Sequence, residues 1–260
     1  MKLAAVHGDA VVVTSRLWQT NAIALRAGGE AMLIDSPYFP DELELLPGLL
    51  EQAGFAVDAL LATHGDFDHL LGRLAFPSLS LGVAESTLLR VRAEPGAAQR
   101  ALRDADGEFY VERTAPLSLG QVQSLPVPGK LELGSVELEL HPAEGHTGDG
   151  MAVFDPSSAV LCPGDYLSGV EIPMLSAGGS PELYRGTLTR LGGLVERSQA
   201  VVPGHGVPHD RETALRLVGE DLAYLDDLER GDERPQLPDG RDTRRQRALH
   251  AENLRALAAA

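Results

Sequence analysis

At 260 residues the chain is long enough for one large hydrophobic core, and 43% apolar with 23% charged residues excludes a disordered or fibrous chain. A formal net charge of −16 sets it against polyphosphate, so no nucleic-acid partner is expected. No apolar run approaches the roughly 20 residues of a membrane span, and the single Cys162 can form no internal disulfide.

In chain order, Val11 to Val13, Asn21 to Arg26 and Ala31 to Ile34 read as short strands, with Gly28 and Gly29 turning between the last two. Asp41 to Ala53 carries Leu43, Leu46, Leu49 and Leu50 at helical spacing. Pro47 and Gly48 are expected to shorten or kink that helix, and Gly54 to stop it. Val57 to Ala62 is an apolar run of strand length that delivers the chain into His64. Leu70 to Ala75 predicts a helix, Ser80 to Val83 a strand and Glu85 to Arg92 a helix, so the first third alternates the two. Beyond it, the polar stretch Asp104 to Glu108 and the segment Pro126-Val127-Pro128-Gly129 mark residues 85–130 as an insertion facing the substrate. Strands resume at Val136 to Leu140, Met151 to Phe154 and Ala159 to Leu161. A helix over about Pro181 to Arg197 and a strand at Ala200 to Val202 follow. Arg211 to Leu228 predicts a helix that breaks over Gly231 to Pro238, and a second helix runs from there to the C-terminus. Arg241, Arg244, Arg245 and Arg247, diluted by Asp239, Asp242 and Glu252, read as a solvated helix face. The domain expectation is residues 1–210 as the main body and 211–260 as a helical extension packed on it or on a partner subunit. That leaves room for a homo-oligomer.

Five polar clusters each follow a short apolar strand and contain a glycine or small residue, the arrangement that lets loops converge at one end of a sheet. They are Leu33-Ile34-Asp35-Ser36, the segment from Thr63 through His64, Asp66, Asp68 and His69, Gly145-His146-Thr147-Gly148, Pro163-Gly164-Asp165, and Pro203-Gly204-His205-Gly206. On an extended loop alternate side chains point the same way, so His64, Asp66 and Asp68 can face one cation. Imidazole nitrogen and carboxylate oxygen suit divalent ions of intermediate hardness. Four histidines and up to three aspartates are enough for two such ions.

These clusters resemble the metallo-β-lactamase superfamily, whose signature is His-x-His-x-Asp-His, then a Gly-His-Thr-like histidine, a Gly-Asp aspartate and a Pro-Gly-His-Gly-like histidine. The separations are of family size: 77 residues from His69 to His146, 19 to Asp165 and 40 to His205. The resemblance implies an α+β fold, an αββα sandwich with a C-terminal helical extension. It also implies that His64 and His146 bind a first metal, that Asp68, His69 and His205 bind a second, and that Asp165 bridges them. Asp66 stands where the family has its second histidine. It is taken as a ligand of the first metal, and it turns the expected ions from zinc alone toward iron or manganese as well. The flavodiiron branch also carries an acid there, but the helical tail is too short to supply that branch's flavin domain.

The activity so implied is hydrolysis of a small ester, thioester or lactone by a metal-bound hydroxide, as in the glyoxalase II and lactonase branches, with Asp68 as catalytic base or water-orienting group. Two other readings stand beside it: a diiron redox protein handling oxygen or a related small molecule, and a non-catalytic metal-stabilised binding protein. With no signal-peptide core after Met1, a cytoplasmic protein acting on a small molecule, without membrane or nucleic acid, is expected. His7, His141, His209 and His250 are read as ordinary histidines, Cys162 as a buried thiol and Asp35 as a hydrogen-bonding support behind the ligands. Tyr38, Tyr166 and Tyr184 are read as half-buried aromatics rather than substrate contacts.

Overall fold

Central strands that are apolar on both faces need cover on both sides, and the chain supplies it in four layers. The computed structural model describes residues 1–259. Its first sheet has the order β1 (Lys2–His7), β2 (Ala10–Thr14), β3 (Asn21–Ala27), β4 (Glu30–Asp35), β5 (Val57–Leu61), β6 (Leu81–Ala84), β7 (Val122–Leu125). It opens as an antiparallel meander and turns parallel from β4 onward. The second sheet has the order β12 (Ala200–Val201), β11 (Val160–Cys162), β10 (Met151–Asp155), β9 (Val136–Pro142), β8 (Gly129–Leu133).

Ile23, Leu25, Met32, Ile34 and Leu61 of the first sheet belong to one buried cluster with Leu138, Leu140, Met151, Val153, Val160 and Cys162 of the second. Helices α1 (Pro40–Gln52), α2 (Gly72–Ala75), α3 (Glu85–Ala93) and α4 (Ala97–Phe109) pack with the opposite face of the first sheet through Leu43, Leu46, Leu50, Leu88 and Leu102. Helices α5 (Pro181–Arg197), α6 (Arg211–Glu229) and α7 (Arg244–Ala259) cover the second sheet, with Leu188, Leu191, Leu217, Leu225 and Leu249 in its outer core. The result is the α+β, αββα architecture.

Three local expectations need correction, and one strand was not expected. Helix α1 runs through Pro47. The stretch Asp104 to Glu108 lies inside α4, where Leu102 and Ala105 form a narrow buried stripe that the surrounding charges mask in the sequence. Strand β1 is an exposed edge with no alternating pattern to announce it. Arg241 is no solvated residue: it is 1% exposed and paired with Asp221 and Glu220 of α6.

Topology puts the polar clusters at one edge. β4 and β5 run parallel, so Asp35 and the loop from Thr63 to His69 leave at the same end. β11 and β12 run parallel, so Asp165 and His205 do too. Hydrogen bonds lock the two sheets' loops together: Asn21 donates to the carbonyls of Pro203 (2.7 Å) and Gly206 (2.8 Å), and the Met151 N–H donates to the Thr63 carbonyl (2.7 Å).

Candidate metal centre

The seven residues picked out as ligands converge into two triads. In the first, Asp66 Oδ2 lies 3.6 Å from His64 Nε2 and 3.4 Å from His146 Nε2. In the second, Asp68 Oδ2 lies 3.7 Å from His69 Nε2 and 3.4 Å from His205 Nε2. Within each triad the candidate donor atoms all lie within 4.8 Å of one another. Asp165 sits between them. Its Oδ2 is 3.7 Å from His64 Nε2, 3.5 Å from His146 Nε2 and 3.3 Å from His205 Nε2, and its Oδ1 is 3.2 Å from His69 Nε2. The backbone must approach this carboxylate closely at Gly204, where a Cβ would fall 2.1 Å from Asp165 Oδ1.

The histidine rings are aimed from behind. Thr63 Oγ1 donates to Asp35 Oδ2 (2.9 Å), which leaves it to accept from His64 Nδ1 at 3.1 Å. His146 Nδ1 donates to the Met174 carbonyl (2.9 Å) and His205 Nδ1 to the Trp18 carbonyl (3.2 Å). With the proton on Nδ1, each of these three rings turns a lone pair on Nε2 toward the cluster. His69 Nδ1 makes an oblique 2.9 Å contact with Asp35 Oδ2. Asp35 does this from a left-handed backbone (φ 59°), a conformation that Asp tolerates better than most side chains, and its Oδ1 also accepts the Thr63 N–H at 2.8 Å.

The donor set fits a pair of cations. His64 Nε2, His69 Nε2, His146 Nε2 and Asp165 Oδ1 are buried with no hydrogen-bond partner, an expensive arrangement unless an ion takes up the lone pairs. Electrostatics agree. Burial works against the charge on Asp66, but His146 and His64 outweigh it and hold the carboxyl well below its ordinary range. Asp165 is depressed likewise, burial being overcome by His69, His205 and His64. Burial disfavours a charged His146, yet Asp66 and Asp165 push its pKa up to about 9. Such a cluster of anionic carboxylates and imidazoles is poised to exchange protons for metal.

The four centre loops frame a cavity of about 310 Å³, which Asp66, Asp68, His146, Asp165 and His205 line on one side. Trp18, Phe67, Met174 and Leu249 give it apolar walls, and Arg245 and Glu252 of α7 stand at its edge. Arg245 pairs with Glu171 (2.9 Å) and lies 5.1 Å from the Trp18 ring centroid, so the C-terminal helix of this same chain forms part of the wall.

The metallo-β-lactamase superfamily model matches residues 15–205, well over half of the chain. The chain belongs to the metallo-β-lactamase superfamily. Members of that superfamily are typically metal-dependent hydrolases. Solved structures share the fold. A metallo-β-lactamase family protein from Thermus thermophilus aligns over 98% of this chain and 95% of its own, at 20% identity and TM-score 0.68. A metallo-β-lactamase from Pontibacter korlensis aligns over 86% and 98%, at 19% identity and TM-score 0.64. The protein TTHA1623, solved in a di-iron-bound form, aligns over 79% and 97%, at 24% identity and TM-score 0.61. No curated protein matches the sequence.

Residues outside the candidate ligand set fall where ordinary roles put them. His141 pairs with Glu139, His250 with the Tyr224 hydroxyl, and His209 packs against Gly169 away from both triads. The tyrosines are more buried than expected, each at 2% exposure or less. Two of them brace the centre: Tyr166 Oη accepts the His146 N–H (2.9 Å), and Tyr184 Oη donates to the Asp165 carbonyl (3.2 Å). Sequence reasoning missed Arg90, Asp149, Trp18, Met174 and Arg245. Asp149, an acid three residues after His146 in a strand-end loop, carried a signal; Arg90, 24 residues from Asp66 on α3, carried none. Among the described residues, no helix is long and apolar enough to cross a membrane.

Proposed function

We propose that this chain is a metal-dependent hydrolase of a small ester, thioester or lactone. The first cation would be held by His64, Asp66 and His146, the second by Asp68, His69 and His205, with Asp165 shared between them. The observation that carries the reading is Asp165: one carboxylate within 3.2–3.7 Å of the Nε2 atoms of four histidines, on the wall of a cavity sized for a small molecule. When bound, the two ions supply Lewis acidity toward a carbonyl oxygen and bring water's acidity near neutral pH.

The chain's own residues do the rest. Burial disfavours the Asp68 anion, but His69 and His205 more than offset this, so the carboxylate is ionised at neutral pH. It faces the cavity and accepts the proton of the attacking water. Trp18, Phe67, Met174 and Leu249 hold the apolar part of the substrate and keep bulk water from the carbonyl, and Arg245, paired with Glu171, stands at the edge of the cavity.

Asp66 supports a second reading, a diiron redox protein, because a carboxylate oxygen in the first triad suits iron as well as zinc. Metal content and substrate turnover separate them. Protein from cells supplied with zinc, iron and manganese should carry about two zinc ions and cleave members of an ester, thioester, lactone and phosphodiester panel, with activity lost to a chelator and restored by zinc. Stoichiometric iron with oxygen consumption and no hydrolysis would overturn the hydrolase reading.

A further inference from the structure

An aspartate in place of a histidine brings two oxygens where one nitrogen would serve, and a negative charge where imidazole is neutral. Asp66 does not use both oxygens toward the centre. Its Oδ2 faces His64 and His146, while its Oδ1 accepts from Arg90 Nη2 at 2.6 Å. The other arm of the same guanidinium donates to Asp149 Oδ1 (2.7 Å), and Asp149 Oδ2 accepts the Gly65 N–H (2.9 Å). Gly65, Asp66, Arg90 and Asp149 thus close a ring that ties the motif loop to α3 through both backbone and side chain. Gly65 lies close beneath it: a Cβ there would be 3.2 Å from Asp149 Oδ2 and 3.5 Å from Arg90.

We infer that Arg90 is a positioning residue that makes Asp66 act as a one-atom ligand in place of an imidazole, by occupying one carboxylate oxygen and drawing down its negative charge. The inference rests on the metal-centre reading above. Its physical basis is the fork. Two Nη atoms reach two separate carboxylates at once, which a single ammonium cannot do with the same fixed geometry. Without Arg90, Asp66 is free to rotate, to present both oxygens, and to carry its full charge into a site already holding Asp165. With histidine at 66, by contrast, Arg90 keeps only its bond to Asp149 and has no carboxylate ligand to orient. Its value to the centre is therefore conditional on Asp66, whereas a merely structural arginine would matter equally with either residue.

That condition defines the experiment. Zinc affinity would be measured by competition with a chromophoric chelator on metal-free wild type, Arg90→Met, Asp66→His and the double variant, with thermal unfolding of each metal-free protein confirming that it is folded. Arg90→Met alone should shift the first-triad zinc affinity by about 10-fold or more and leave the other zinc unchanged. In the Asp66→His background the same replacement should change affinity by less than about threefold. Arg90→Lys, which keeps charge but not the fork, should fall closer to Arg90→Met than to wild type. Equal shifts in both backgrounds, or no shift in either, would overturn the inference while leaving the metal centre intact. A wild-type protein that takes up no zinc at the first triad would overturn both.

Discussion

Asn253 offers the sharpest test of how the C-terminal helix serves the centre. It is fully buried on α7, and its amide makes three hydrogen bonds: it accepts the Leu175 N–H (2.9 Å) and donates to the Pro173 carbonyl (2.7 Å) and the Tyr224 hydroxyl (2.8 Å). Gln246 adds a fourth contact by accepting the Ile172 N–H at 2.8 Å. Together they clamp the loop on both sides of Met174, whose carbonyl fixes the His146 ring. Replacing Asn253 with alanine removes three buried bonds worth about 1 kcal/mol each and strands the Leu175 N–H, so the loss of stability should be about 3 to 4 kcal/mol. For a chain of this size that is a fall of very roughly 10 °C in Tm. Calorimetry of the metal-free protein reads that number, and chelator competition should show the first-triad zinc weakened about 10-fold with the second unaffected. Asn253→Asp, which keeps the acceptor for Leu175, should recover part of both effects. A Tm within about 2 °C of wild type, or equal weakening of both zinc sites, would refute the clamp.

Asp35→Asn should weaken the second zinc about 10-fold, because the amide cannot both accept from Thr63 and present an anion to His69; a second site unchanged in zinc titration would show that Asp35 only shapes the turn. Burial raises the Asp221 carboxyl to about 6 in spite of Arg241, so its contribution is complete below the ordinary 3.8 and is lost as pH rises through 6. Between pH 5 and 7 wild type should therefore lose about 1 kcal/mol relative to Asp221→Asn in urea unfolding, and parallel profiles would contradict that account. Leu249→Lys places a charge on the apolar wall of the cavity; kcat/KM should fall about 10-fold or more for esters with long acyl chains and little for acetates, and equal losses for both would remove Leu249 from the substrate path.

The convergence of the seven candidate ligands was legible because each sits in a short strand-end motif, and the parallel pairs β4–β5 and β11–β12 bring those ends together. Long helices with clear apolar periodicity were legible for the same local reason; α5 spans Pro181–Arg197 as expected. What stayed hidden depends on contacts between distant segments. Helix α4 buries little more than Leu102 and Ala105, too thin a stripe to stand out among Arg100, Arg103, Asp104, Asp106 and Glu108. Arg241 looked like a solvated charge because its partners, Glu220 and Asp221, lie on α6; Arg245 is exposed as expected, and only its pairing with Glu171 went unseen. Arg90 looked like any helix-surface arginine until α3 was placed against the motif loop.

That distribution of supports makes the two halves of the centre unequal. In the second triad, His205 is aimed by the Trp18 carbonyl and His69 contacts Asp35, so both lean on segments next to β3 and β4 of the central sheet. In the first, only His64 leans on the sheet, through Thr63 and Asp35. Asp66 depends on Arg90 of α3, and His146 depends on a loop that α7 holds in place. Peripheral helices open locally at lower free energy than central strands. With two cations bound as proposed, opening α3 or α7 would release a ligand of the first while the second would keep all of its own. Zinc should accordingly leave in two steps under a chelator, the first-triad ion faster, with a ratio that Asn253→Ala increases. Loss of both ions in a single step would mean that Asp165 couples the two sites more strongly than the surrounding helices separate them.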